Sequence, residues 1–191
     1  MNKNDLITEL NSIKTAERIY RDKSARFVTD HPETFPFLLE LLFEGKDRIH
    51  IKAAWIFELV CFADISLIVP YLSFYAQNLH EIHHESALRP IAKVCSFICM
   101  TYFTDKENVF HLKLSKEDMQ FMVESNFDWL IEDHKVATKA FAMETLFFLG
   151  LEIDWVHDEL KLVLEKNIIH GSSGYQSRAR KILNKINTLK N

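Results

Sequence analysis

The sequence predicts an all-helical, single-domain chain built from repeats, on three observations. Glycine and proline are scarce, four of each in 191 residues, so the turn punctuation of a many-stranded sheet is missing. Apolar residues recur at three- and four-residue spacing within stretches of helical length, each closed by a short polar run. Two long stretches also follow one pattern, the mark of a stacked supersecondary unit. A hydrophobic content of 48% over this length suffices for one continuous core and leaves little room for a second.

In chain order, the expected helices over 4–12 and 15–30 rest on apolar spacing alone, behind a start, "MNKNDLITEL", without the basic and apolar runs of a leader. Helices over 33–44 and 65–80 carry the apolar-proline pairs Phe35-Pro36 and Val69-Pro70. Those over 47–62 and 85–102 contain the aliphatic-basic pairs Ile51-Lys52 and Leu88-Arg89. For the second of these, Ser86 is the expected cap and Pro90 lies near the first turn, where a missing amide costs little. The connection 103–114, "FTDKENVFHLKL", is the longest and is expected to be the hinge. Helices over 116–131, 134–149 and 154–167 continue the spacing. The last, 174–189, sets Tyr175, Ala179, Ile182, Ile186 and Leu189 on one apolar face.

The repeat is clearest between residues 35–60 and 68–98. In each, a helix opening with an apolar residue and proline leads through a polar connection to a second helix with an aliphatic-basic pair. Trp55 or Ala92 follows three residues after the basic residue. The prolines lie 34 residues apart and the basic residues 37, so the second copy has the longer connection. The pattern resembles the HEAT repeat, over about residues 33–102 and more weakly over 115–190. The resemblance implies an α-solenoid, a right-handed superhelix of four to five antiparallel helix pairs, with a concave face lined by the second helix of each pair.

The longer connection spells H-E-x-x-H, with His80, Glu81 and His84 in the spacing of a zinc peptidase. That chemistry needs all three residues on one rigid helix, whereas Pro90 sets the next helix start near Glu85 or Ser86. The motif is therefore expected to straddle a helix end and a loop, and neither metal, cofactor nor catalytic residue is expected. The sequence holds no G-x-S-x-G, G-x-G-x-x-G or P-loop, and "HGSSGY" at 170–175 reads as a turn between helices. Cys61, Cys95 and Cys99 sit in apolar segments and are expected to be buried thiols. No stretch approaches the roughly 18 apolar residues of a membrane span, so a cytoplasmic protein without membrane contact is expected.

HEAT-like repeats also build a family of DNA alkylation-repair glycosylases, which set an aromatic residue beside an aspartate on a concave basic surface. Trp129 with Asp133, and Trp155 with Glu159, have a compatible spacing, but the net charge of -4 opposes duplex binding. Charge is uneven: Lys166, Arg178, Arg180, Lys181, Lys185 and Lys190 give the last 26 residues +6, leaving -10 on the rest. A DNA-binding HEAT-repeat protein is the alternative reading, and nucleic acid could bind through that basic terminal helix. The expected function is a non-catalytic scaffold holding a protein or peptide, acidic by preference, on its concave face. Helical geometry places Lys52, Trp55 and Leu59 on one stripe, Arg89, Lys93 and Ser96 on the next, and Lys139 and Met143 on a later one. The candidate binding residues are Lys52, Trp55, Arg89, Lys93, Lys139 and Arg178.

Overall fold

A computed structural model describes residues 1–44, 47–105 and 107–189, and no strand occurs among them. The helices are α1 (Lys3–Ser12), α2 (Arg18–Asp30), α3 (Phe35–Phe43), α4 (Asp47–Ala63) and α5 (Leu72–Gln77). They continue as α6 (Glu85–Thr104), α7 (Lys116–Ile131), α8 (Val136–Leu149), α9 (Asp154–Asn167) and α10 (Ser173–Leu189). Ends follow capping chemistry. Asn2 and Ser115 each accept backbone amides of the first turn, while the third helical residue, Asp5 or Asp118, reaches back to the cap amide.

The segment expected as one helix over 65–80 is broken into three. A 3-10 helix, Ile65–Tyr71, capped by the Asp64 side chain, leads into α5, and a second 3-10 turn, Leu79–Glu81, follows. Pro70 explains the break, because it has no amide to donate and its ring collides with the carbonyl four residues earlier. The apolar spacing survives the change of coil, since Ile68, Leu72, Tyr75, Ala76 and Leu79 are all buried.

In α6 the proline has a different effect. The helix is capped by His84, whose Nδ1 accepts the Ser86 amide at 3.1 Å, so Ser86 is not the cap. Pro90 therefore lies inside the helix and leaves the Ser86 carbonyl without its usual partner. The indole Nε1 of Trp55, from α4, donates to that carbonyl at 3.1 Å. The missing helical hydrogen bond thus becomes a tie between consecutive helix pairs.

The even-numbered helices form a row in which α2, α4, α6, α8 and α10 each pack on the next. Helices α1, α3, α7 and α9 pack on the even helix that follows, and α5 packs on α7. The described residues form an all-α array in which four pairs of consecutive helices stack and α5 lies against α7, with one contiguous core running from Leu6 to Ile186. Cys61, Cys95 and Cys99 are free and buried in it. Burial pushes the Cys61 thiol well up, and a hydrogen bond with Cys95, followed by burial, does the same to Cys99.

The connection after α6 is held by side-chain contacts. Asn108 Nδ2 donates to the Thr101 carbonyl at 3.0 Å, Phe110 is buried, and the Tyr102 and His111 rings lie 4.3 Å apart. Lys106, within the expected hinge, and Lys190, within the basic terminus, lie outside the described residues. Among the described residues no single helix is long and apolar enough to cross a membrane. Arg48–Ala63 and Ile65–Gln77 together carry enough apolar residues, but they are bent 114° apart.

Candidate functional site

His80 and Glu81 lie in the 3-10 turn, Ile82 is extended, and His84 is the cap of α6. His80 Nε2 is 3.0 Å from Glu81 Oε1, and His84 Nδ1 accepts an amide. The H-E-x-x-H spacing therefore straddles a helix boundary and does not set its two imidazoles on one helix. Among the described residues no group of three or more His, Cys, Asp or Glu side chains could hold a metal ion.

The even-numbered row carries a continuous polar and aromatic strip on its non-core side. Between α2 and α4, a groove of about 400 Å³ is lined by Arg18, Asp22, Arg26, Leu59 and Phe62, among others. Phe62 stacks on Phe97 of α6 with centroids 4.6 Å apart, and Lys93 Nζ lies 4.3 Å from the Phe62 ring. The same ammonium pairs with Glu58 Oε1 at 2.6 Å. Ser96 Oγ contacts Glu144 of α8 at 3.5 Å, and Glu144 in turn faces Arg178 at 3.9 Å and Lys185 at 4.0 Å on α10. Lys185 also lies over the Phe147 ring, 4.8 Å from its centroid. Helices α4, α6, α8 and α10 thus contribute to one chain of contacts, and α2 adds the wall of the groove.

Of the sequence-predicted residues, Lys52, Trp55, Arg89, Lys93 and Arg178 lie along this strip, because their helical stripes carry its contact residues. Lys139 does not. It lines a separate groove of about 340 Å³ with Asp133, His134, His170 and Tyr175, where α7–α8 and α9–α10 connect. Met143 is fully buried in the core, and Ser96 is buried against Glu144. Lys93 and Arg178 are engaged with carboxylates of the preceding even helix, and Trp55 with Ser86. Arg26, Arg48, Lys52 and Arg89 have no partner among the described residues.

Sequence reasoning missed Glu58 and Glu144, the two carboxylates that organise the strip. Each is a lone acid inside an apolar run, "AAWIFELVCF" and "FAMETLFFL", and that isolation was the available signal. It also missed Arg26, Arg48 and Lys185, whose place depends on how the helices pack. The tryptophan-acid pairs are placed differently. Trp129 is buried and Asp133 lies beyond the end of α7, while Trp155 stacks on Phe127 at 5.8 Å. In comparisons with known proteins, no family model, no curated protein and no solved structure matches the chain.

Proposed function

We propose that this chain is a HEAT-like binding module that holds an acidic, partly apolar peptide segment of a partner protein along its even-numbered row. The observation that supports this reading is the set of four cations without a partner among the described residues, Arg26 beside the exposed Phe62, and Arg48, Lys52 and Arg89 toward the end of the row where Trp55 meets Ser86. They stand on one side of a protein whose net charge is -4. Adjacent helices sit about 8–10 Å apart, so five of them span about 40 Å, the length of about 12 extended residues. Such a segment would meet cations at intervals and aromatic rings between them, which gives orientation as well as attraction. Duplex DNA is served poorly, because the other cations of the strip already face Asp22, Glu58 and Glu144.

The test uses a fluorescein-labelled 12-residue peptide alternating glutamate and leucine, read by anisotropy at low salt. The expected result is saturable binding that weakens at least tenfold in Arg26→Glu/Arg89→Glu while the melting midpoint is kept. Binding unchanged in that variant sinks the reading. Tighter binding of a 12-base single-stranded DNA than of the peptide replaces it with nucleic-acid recognition.

A further inference from the structure

At the end of the row where α4 and α6 begin, a cleft of about 260 Å³ opens between the α1–α2 connection and those two helices. Its walls are Ile13, Lys14, Thr15 and Ala16 from the connection, Arg48, Ile51, Lys52 and Trp55 from α4, and Ser86 from α6. Two features set it apart from the rest of the strip. The three cations lining it, Lys14, Arg48 and Lys52, have no partner among the described residues, and no described carboxylate lines the cleft. The Trp55 indole beside them is held by its hydrogen bond to the Ser86 carbonyl, which Pro90 leaves vacant.

We infer that this cleft binds a phosphate monoester carried on a flat ring. Three unopposed cations match a dianion better than a single carboxylate, since each added charge raises the attraction within one small volume. Trp55, Ile13 and Ile51 supply apolar walls for a ring, and the volume suits one ring with its phosphate rather than a larger cofactor. The source that carries this chemistry is a phosphorylated tyrosine side chain; a nucleoside monophosphate holds its phosphate on the ribose and adds a sugar and a base.

This inference does not require a peptide along the row, because Lys14 lies in the α1–α2 connection, outside the even-numbered helices. The test titrates the native chain with phenyl phosphate, inorganic phosphate and benzoate, following tryptophan fluorescence with Trp55→Phe as the blank. Phenyl phosphate is expected to bind at least tenfold more tightly than either fragment. Lys14→Glu and Lys14→Gln are expected to weaken it at least tenfold and threefold, with the melting midpoint unchanged. Arg26→Glu/Arg89→Glu is expected to weaken it less than threefold, through longer-range charge alone, which separates this site from the peptide reading. Titration with O-phosphotyrosine and adenosine monophosphate then checks the choice of ring, and tighter binding of adenosine monophosphate overturns it. Absence of a signal up to 10 mM phenyl phosphate, benzoate binding as tightly, or undiminished binding in both Lys14 variants overturns the inference.

Discussion

Two cations one helical turn apart on α6 should behave in opposite ways. Lys93 is pinned between Glu58 at 2.6 Å and the face of Phe62 at 4.3 Å, whereas Arg89 is exposed and unpartnered among the described residues. The Glu58 side chain is only 10% exposed, so removing Lys93 leaves a carboxylate short of both water and a counter-charge. Lys93 itself is 37% exposed, which moderates the penalty, and Lys93→Met is expected to cost about 2 kcal/mol. In a chain of this size about 1 kcal/mol moves the melting midpoint by about 2–4 °C, giving a fall of about 4–8 °C. Arg89→Glu breaks no contact and should stay within about 0.5 kcal/mol of the native chain. Adding Glu58→Gln completes a double-mutant cycle with an expected coupling of about 1 kcal/mol. The assay is urea unfolding of the native chain, both single variants and the double. A Lys93→Met cost under about 0.5 kcal/mol, or an equal loss in Arg89→Glu, would refute the division of α6 into a tying cation and a free one.

Other expectations follow from contacts already described. Trp55→Phe should cost about 1 kcal/mol by orphaning the Ser86 carbonyl, and less in a Pro90→Ala background, where the new amide at position 90 takes over that acceptor; equal costs in both would break the link. His84→Ala should lower stability by about 0.5–1 kcal/mol through the lost cap, and excess chelator should leave the native midpoint in place; a chelator-induced fall would point to bound metal. Burial raises the Cys61 thiol and the Tyr75 phenol in the fold, so the unfolded chain loses these protons first and stability, complete below about pH 8, falls as pH rises. A denaturation midpoint flat from pH 7 to 10, or native thiols that react with Ellman's reagent, would contradict this. Truncation before Ser173 removes Tyr175, Ala179, Ile182 and Ile186 from the face packed on α8 and α9 and should cause aggregation; a stable monomeric product would deny α10 its covering role.

The ten helical segments were legible because burial imposes its period on the sequence directly. Tyr175, Ala179, Ile182 and Ile186 were read as one face and are one face, whereas Leu189 is exposed at the helix end. The break around Pro70 was not legible, since the spacing of Ile68, Leu72 and Tyr75 suits a 3-10 stretch followed by an α-helix as well as it suits one helix. Capping by His84 was missed because histidine caps rarely and Ser86 is the commoner choice. The strip was half legible: Lys52, Trp55 and Arg89 follow from their own helices. Which cation meets Glu58 or Glu144 depends on the sliding register of one helix against another, and one sequence carries no trace of that register. Lys139 with Met143 shows the same limit, for a stripe chosen by spacing can fall on the wrong side of its helix when every side is rich in apolar residues.

The 20 residues of α6 make it about 30 Å long, while the 6 residues of α5 give about 9 Å. So short a neighbour cannot roof so long a helix, and α6 is closed instead by α4 on one flank and α8 on the other. Its Cys95 Sγ accepts from Asn126 Nδ2 of α7 at 3.4 Å, although Asn126 follows the longest connection in the chain. That connection looks like a place to cut the protein in two, yet a cut there would leave the first fragment with a helix dressed for an absent neighbour. The second fragment would lack the surface on which α8 lies. The interior has no seam: α6 is a keel shared by both ends of the molecule, and neither end owns enough of it to stand alone.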